Sequence, residues 1–256
     1  MSELVLSELN DRVMTIRLNR ADKKNALTGA MYTGIAEALR KAAADSAVRS
    51  VVLTGSGGVF CAGNDLQDFL KLPPSSQNSP VMDFMYTLSS FAKPIVAAIY
   101  GPAIGVGATL LLHVDLAYAG ASTKLQFPFV NLGICAEFAS SLLLPRLAGH
   151  AKASELLLLG EFFDAQTAKD IGLVNAVLPD DEVEARAMAA AQKLALQPPQ
   201  ALRKTKALMR GWDAEQLKTV IAIEAENFMR MLGEAEARES LSAFVQKRKP
   251  DFSKFV

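Results

Sequence analysis

Histidine and cysteine are scarce in this 256-residue chain, with two of each. Cys61 and Cys135 stand far apart. Their separation is neither a ligand spacing nor a disulfide framework, and it fits a reducing compartment such as the cytoplasm. With His113 and His150 as the sole histidines, a histidine-based metal cluster or a Ser-His-Asp triad is not expected. An excess of either charge is missing too. The 27 basic and 27 acidic residues cancel, the pI lies near 6.8, and no basic block points to nucleic acid. The start, MSELVLSELN, has neither a positive n-region nor an apolar h-region, so no secretory leader is expected.

Apolar residues, in contrast, make up 50% of the chain, enough for a sizeable core in one large domain or a domain plus an extension. Pro94 to Val114 carries no formal charge and has the length of a membrane span. Gly101-Pro102 divides it, and Gly105 and Gly107 follow. It reads instead as a buried strand, a tight turn and a buried helix, and no membrane association is expected. Val13 to Leu18 alternates as a strand does, with Met14, Ile16 and Leu18 on one side. Thr28 can cap a helix to about Ala43 whose apolar face is Met31, Ile35, Leu39 and Ala42. Ser50 to Gly55, Pro94 to Tyr100 and Asp115 to Gly120 are further strands, and their alternation with helices predicts an α/β core. Pro73 to Pro80 reads as a polar loop. After about Asp180 four helices follow, with apolar faces larger than a short hairpin can bury. The expected division is a core over 1–195 and a helical region over 196–256 that packs on the core or on a second copy.

Three features could hold chemistry. Two glycine-bearing turns, Gly57 to Leu66 and Gly101 to Leu112, match no phosphate-binding or dinucleotide pattern. Each is a simple packing turn or a place where a ligand meets backbone amides; two such amides converging would form an oxyanion hole. Cys61 reads as a small buried hydrophobe and Asp65 as a helix cap rather than a base. The third feature is Glu137, the only charge in GICAEFASSLLLP. It is either a first-turn residue favoured by a helix dipole or a buried functional carboxyl.

At these residues the chain resembles the crotonase (enoyl-CoA hydratase/isomerase) superfamily, from about Val13 to Phe252. The segments RLNRADKKNAL, FCAGNDL, GPAIGVG, the GLVN stretch and AFVQKRKPDF occur in that family's order. The resemblance implies a crotonase-like spiral of β-β-α units with a C-terminal helical trimerisation region, a homo-oligomer (trimer or dimer of trimers) and an acyl-CoA thioester substrate of the fatty-acid type. It also implies oxyanion amides at Ala62 and Val106, and no cofactor, the CoA being part of the substrate. Lys23, Lys24, Ala26, Gly63, Asn64, Asp65, Leu66, Gly105, Phe129, Leu132, Phe244 and Lys247 would contact substrate or CoA. Family hydratases use two glutamates, and this chain has Thr109 and Phe129 at those places. The branch that moves a double bond from the 3- to the 2-position of enoyl-CoA uses one glutamate further on, where Glu137 stands. Isomerisation is therefore expected. The alternatives are hydration or other enolate chemistry on an acyl-CoA, and a non-catalytic acyl-CoA-binding protein.

Overall fold

The computed structural model describes residues 4–65, 68, 79–246 and 248–255. Leu66, Lys247 and most of the 73–80 loop lie outside the described residues, as does the side chain of Phe244. The main sheet has six strands in the order β1 (Val5–Asn10), β2 (Val13–Leu18), β3 (Ser50–Gly55), β4 (Ile95–Ile99), β6 (Leu116–Gly120) and β9 (Ala176–Leu178). Only β1 and β2 pair antiparallel; the remaining neighbours are parallel. A smaller sheet joins β5 (Pro102–Ile104), β7 (Lys124–Gln126) and β8 (Phe163–Asp164).

The two sheets are built together. Strand β4 leads into β5 and β6 into β7, and β3 is followed by Cys61, which bridges to Ala103 of β5. Each turn of the chain thus gives one strand to the main sheet and one segment to the small sheet. This is the expected β-β-α spiral. The helices are α1 (Gly29–Ala44), α2 (Pro80–Ser89), α3 (Val106–Thr109), α4 (Ser140–Ala148), α5 (His150–Ser154), α6 (Ala165–Asp170), α7 (Val183–Ala195), α8 (Pro199–Gly211), α9 (Ala214–Leu232) and α10 (Ala235–Val245).

Local chemistry explains the elements nearest the site. The Thr28 hydroxyl accepts from Met31 N at 3.3 Å and starts α1. Met31, Ile35, Leu39 and Ala42 of that helix are buried with Met14, Ile16 and Leu18 of β2 in one core cluster. The opposite sheet face, with Val13, Val52, Val96 and Tyr118, packs against Val183, Ala187, Ala190 and Ala191 of α7. Small side chains let that helix lie close over the strands. Ile221 and Phe228 of α9 and Ala237 of α10 belong to the same cluster as β2 and α1, so the C-terminal helices share the core.

The stretch after Tyr100 differs from the expected turn and helix. It forms the short strand β5, then only one turn of α3, then a 3-10 turn over Leu110–His113. Gly105 adopts φ +55° and its carbonyl accepts from the amides of both Ala108 and Thr109, so strand changes to helix at one residue. Asp115 N already pairs with Ile95 O, which leaves no length for a longer helix. Among the described residues no helix is long and apolar enough to cross a membrane. Strands β1, β5, β7, β8 and β9 escape a reading of periodicity: four of them have two or three residues, and in β1 only Val5 is buried.

Candidate active site

The two glycine-bearing segments lie side by side. Cys61 N donates to Pro102 O and Ile104 N donates to Cys61 O, both at 3.0 Å. The approach is so close that a Cβ on Gly107 would sit 2.5 Å from Cys61 O, and one on Gly63 would sit 2.8 Å from Ile104 O.

The amides at the ends of these segments differ from the expectation at one position. Ala62 N–H donates to Lys24 O at 3.0 Å, so it is not an open donor. At the next residue the chain turns over. Gly63 has φ +93°, and its carbonyl accepts from Leu27 N at 2.8 Å. In a trans peptide the following N–H points the opposite way. Asn64 N–H therefore faces away from the Lys24–Leu27 segment. Val106 N–H is arranged alike: the Gly105 carbonyl points along α3, and the Val106 amide points backwards out of its first turn. Neither amide has an acceptor among the described residues. Backbone donors are almost always paired, so two open ones on adjacent segments mark a place prepared for an acceptor.

Glu137 is joined to the second of these segments through Thr109. It is 5% exposed, and its Oε1 accepts from the Thr109 hydroxyl at 2.7 Å. Thr109 lies one turn beyond Val106 and is fully buried. Burial pushes the Glu137 carboxyl up to about 8; the Thr109 bond opposes this, and the Glu224 charge adds to it. Glu137 is not a first-turn residue of α4. It precedes the helix, and its own carbonyl accepts from Ser140 N at 3.1 Å and Ser140 Oγ at 2.7 Å. Phe138 and Ala139, both with positive φ, fold the chain between them. Phe129 is buried without a titratable group, and its carbonyl accepts from Leu132 and Ile134 amides.

A buried carboxyl, Glu137, bonded to Thr109, and two open amides on adjacent segments make up the candidate site. Residues 8–254 match the family described as Enoyl-CoA hydratase/isomerase. The chain belongs to that family. Within it, the 2,3-dehydroadipyl-CoA hydratase of Escherichia coli (strain K12) is 34% identical over 253 residues, 98% of this chain and 99% of that protein. Enoyl-CoA delta isomerase 2 of Homo sapiens is 35% identical over 229 residues, covering 87% of this chain and 58% of that protein. The structure of Pseudomonas aeruginosa OdaA is similar with a TM-score of 0.93 and 50% identity, over 95% of this chain and 99% of that one.

Other residues of this enoyl-CoA hydratase/isomerase family chain take supporting places. Lys23 and Lys24 are exposed on the loop after β2, and Ala26 is half-buried. The Ala62–Lys24 bond and an Arg20–Asp65 ion pair at 2.7 Å tie that loop to the first glycine segment. Asp65 also accepts from Asp68 N at 3.0 Å; the helix it was expected to cap lies outside the described residues. Tyr32 was not anticipated. Its hydroxyl donates to Asn64 Oδ1, and burial together with the nearby Glu137 charge raises its pKa. Burial raises the Cys61 thiol to about 12, which makes it a poor nucleophile. His113 stacks on Phe138 at 3.8 Å, and its Nε2 donates to Phe138 O at 2.8 Å. Burial lowers its pKa to about 3, so it is neutral and structural. His150 is the first residue of α5.

Proposed function

We propose that this acyl-CoA enzyme is a Δ3,Δ2-enoyl-CoA isomerase. The observation that carries the reading is Glu137: a buried carboxyl of raised proton affinity beside two open amides, with Thr109 and Phe129 where a hydratase keeps its two glutamates. In the reaction, ionised Glu137 removes the C2 proton, which lies between the thioester carbonyl and the C3=C4 bond. The released pair forms the C1=C2 bond of a dienolate that keeps C3=C4, and the carbonyl π pair moves onto the thioester oxygen as negative charge. Asn64 N–H and Val106 N–H receive that oxygen; one such donor is worth about 3 kcal/mol. The neutral acid then returns the proton to C4: the C3=C4 pair takes it, the C1=C2 pair becomes C2=C3, and the oxygen pair restores the carbonyl of 2-enoyl-CoA. The acid ends as it began, and neither water nor an oxidant takes part. A carboxyl with a pKa near 8 is, once ionised, a stronger base than an ordinary carboxylate, and it keeps the proton it has taken until C4 receives it, which suits a shuttle.

Lys23, Lys24, Ala26, Gly63, Asp65, Gly105 and Leu132, with Leu66, Phe244 and Lys247, belong to this reading as contacts to the thioester and CoA. The test is incubation of the purified protein with 3-enoyl-CoA and with 2-enoyl-CoA. Conjugated-thioester absorbance arising from the first supports the reading; its absence overturns it.

The reading extends to assembly as a trimer or dimer of trimers, in the cytoplasm. Trp212 is 87% exposed on a single chain, and Leu196 and Met209 are nearly as open, an apolar surface that a second copy would cover. Light scattering at micromolar concentration is expected to give at least three times the chain mass; a monomer would contradict it.

A further inference from the structure

Glu137 is not the only carboxyl buried in this region. Glu224, on α9, is also buried, in register with Ile221 and Phe228 on the apolar stripe of that helix. Its Oε2 accepts from Ala139 N at 2.5 Å. Its Oε1 accepts from Ser141 N at 3.0 Å and from the Ser141 hydroxyl. These donors belong to the start of α4 and to the turn before it. A helix begins with amides that have no partner inside it. Here they are satisfied by a carboxylate from a helix more than eighty residues away in the chain. The bonds join the C-terminal region to the turn that presents Glu137.

That turn needs external support. Phe138 has φ +56° and Ala139 φ +55°, the left-handed region, which costs a non-glycine residue roughly 1–2 kcal/mol each. Their conformation sets the direction in which Glu137 leaves the backbone. Within the turn, Ser140 N and its hydroxyl donate to Glu137 O; from other elements it is held by the bond from His113 Nε2 to Phe138 O and by Glu224, which accepts from Ala139 N and Ser141.

We propose that Glu224 is a positioning residue for Glu137: by binding Ala139 and Ser141 it holds the left-handed turn that aims the Glu137 carboxyl at Thr109 and the open amides. The proposal rests on the isomerase reading only for its kinetic consequence. Its electrostatic side follows from the same placement. Glu137 is faced by the Thr109 hydroxyl from α3, Tyr32 from α1, Cys61 from the first glycine segment, Cys135 from its own loop and Glu224 from α9. Glu224 is the only carboxylate in that set. Its charge opposes ionisation of Glu137 and helps hold the proton on it.

Glu224→Gln tests this. A carboxamide has one acceptor oxygen in place of two, so one backbone amide of the turn loses its partner, and the charge is gone. Two readouts are taken well below the melting temperature. In kinetics, kcat is expected to fall about tenfold to a hundredfold while KM stays within about threefold, because alignment is lost and thioester binding is not. In titration, the δ-carbon resonance of Glu137 in ¹³C-labelled protein, assigned by its loss in Glu137→Gln, is expected to shift its midpoint downward by about half a unit or more. The titration needs no activity, so it tests the inference even if the isomerase reading fails. Wild-type kcat together with an unmoved midpoint overturns it. Should Glu224→Gln not fold, the wild type carries the test. Burial raises the Glu224 carboxyl too, and two coupled carboxyls report one another's protonation, so the Glu224 resonance must also respond where Glu137 titrates. A resonance that ignores that step overturns the proposal.

Discussion

Glu137→Gln is expected to lower kcat for 3-enoyl-CoA by about 10²–10⁴-fold, the usual worth of a positioned acid–base group, while affinity for an unreactive acyl-CoA changes less than about threefold. The substitution keeps shape and the partner for the Thr109 hydroxyl but cannot accept the C2 proton. In the wild type, kcat/KM should rise with pH. The ionised form is the base, and with a pKa near 8 only about one site in a hundred is ionised at pH 6. Steady-state kinetics across pH 6–9, with calorimetric titration of the acyl-CoA, checks both statements. Turnover by the variant near the wild-type level would remove Glu137 from the mechanism.

Isomerisation is expected to exceed hydration by about two orders of magnitude or more in kcat/KM on matched chain lengths. Adding water to a 2-enoyl thioester needs one group to deprotonate the water and another to protonate C2, and losing either partner costs about 10²–10⁴-fold. Thr109 is a poor base, its hydroxyl already donates to Glu137, and Phe129 cannot titrate. A glutamate at 129 would not simply restore hydration, since it would bury a charge where a ring now packs. The two rates on purified protein decide the matter. Hydration equal to isomerisation would mean that a second acid–base group works in the site.

Much of this was legible in the sequence because the signals were local. A lone glutamate among apolar residues stands out, as do the β2 alternation and the Thr28 cap, and each depends on neighbours within one element. The open amide was misplaced by two residues. Which peptide turns over depends on the positive φ of Gly63, and a glycine permits that conformation without requiring it. Tyr32 and Glu224 were missed because their roles depend on distant partners. Glu224 sits in IEAENF beside Glu226, and composition cannot tell the two apart. The spacing of Ile221, Glu224 and Phe228 could have done so, since it places a carboxyl on the buried stripe.

Burying Glu137 also couples proton binding to folding. In the unfolded chain its carboxyl returns to an ordinary value near 4.5, against about 8 in the folded protein. The folded state therefore binds the proton more tightly, and this stabilising contribution is complete below about pH 4.5. It fades as pH rises and is gone once the folded carboxyl ionises, above about 8. Each unit of difference corresponds to about 1.4 kcal/mol, so the total is a few kcal/mol. A glutamine there titrates in neither state. In urea unfolding, Glu137→Gln should gain on the wild type between pH 5 and pH 9, ending roughly 2–4 kcal/mol better relative to its standing at pH 5. A stability difference independent of pH would mean that Glu137 ionises in the folded protein as it does in the open chain. The group that would make this site reactive is then also a reason for the fold to weaken in alkali.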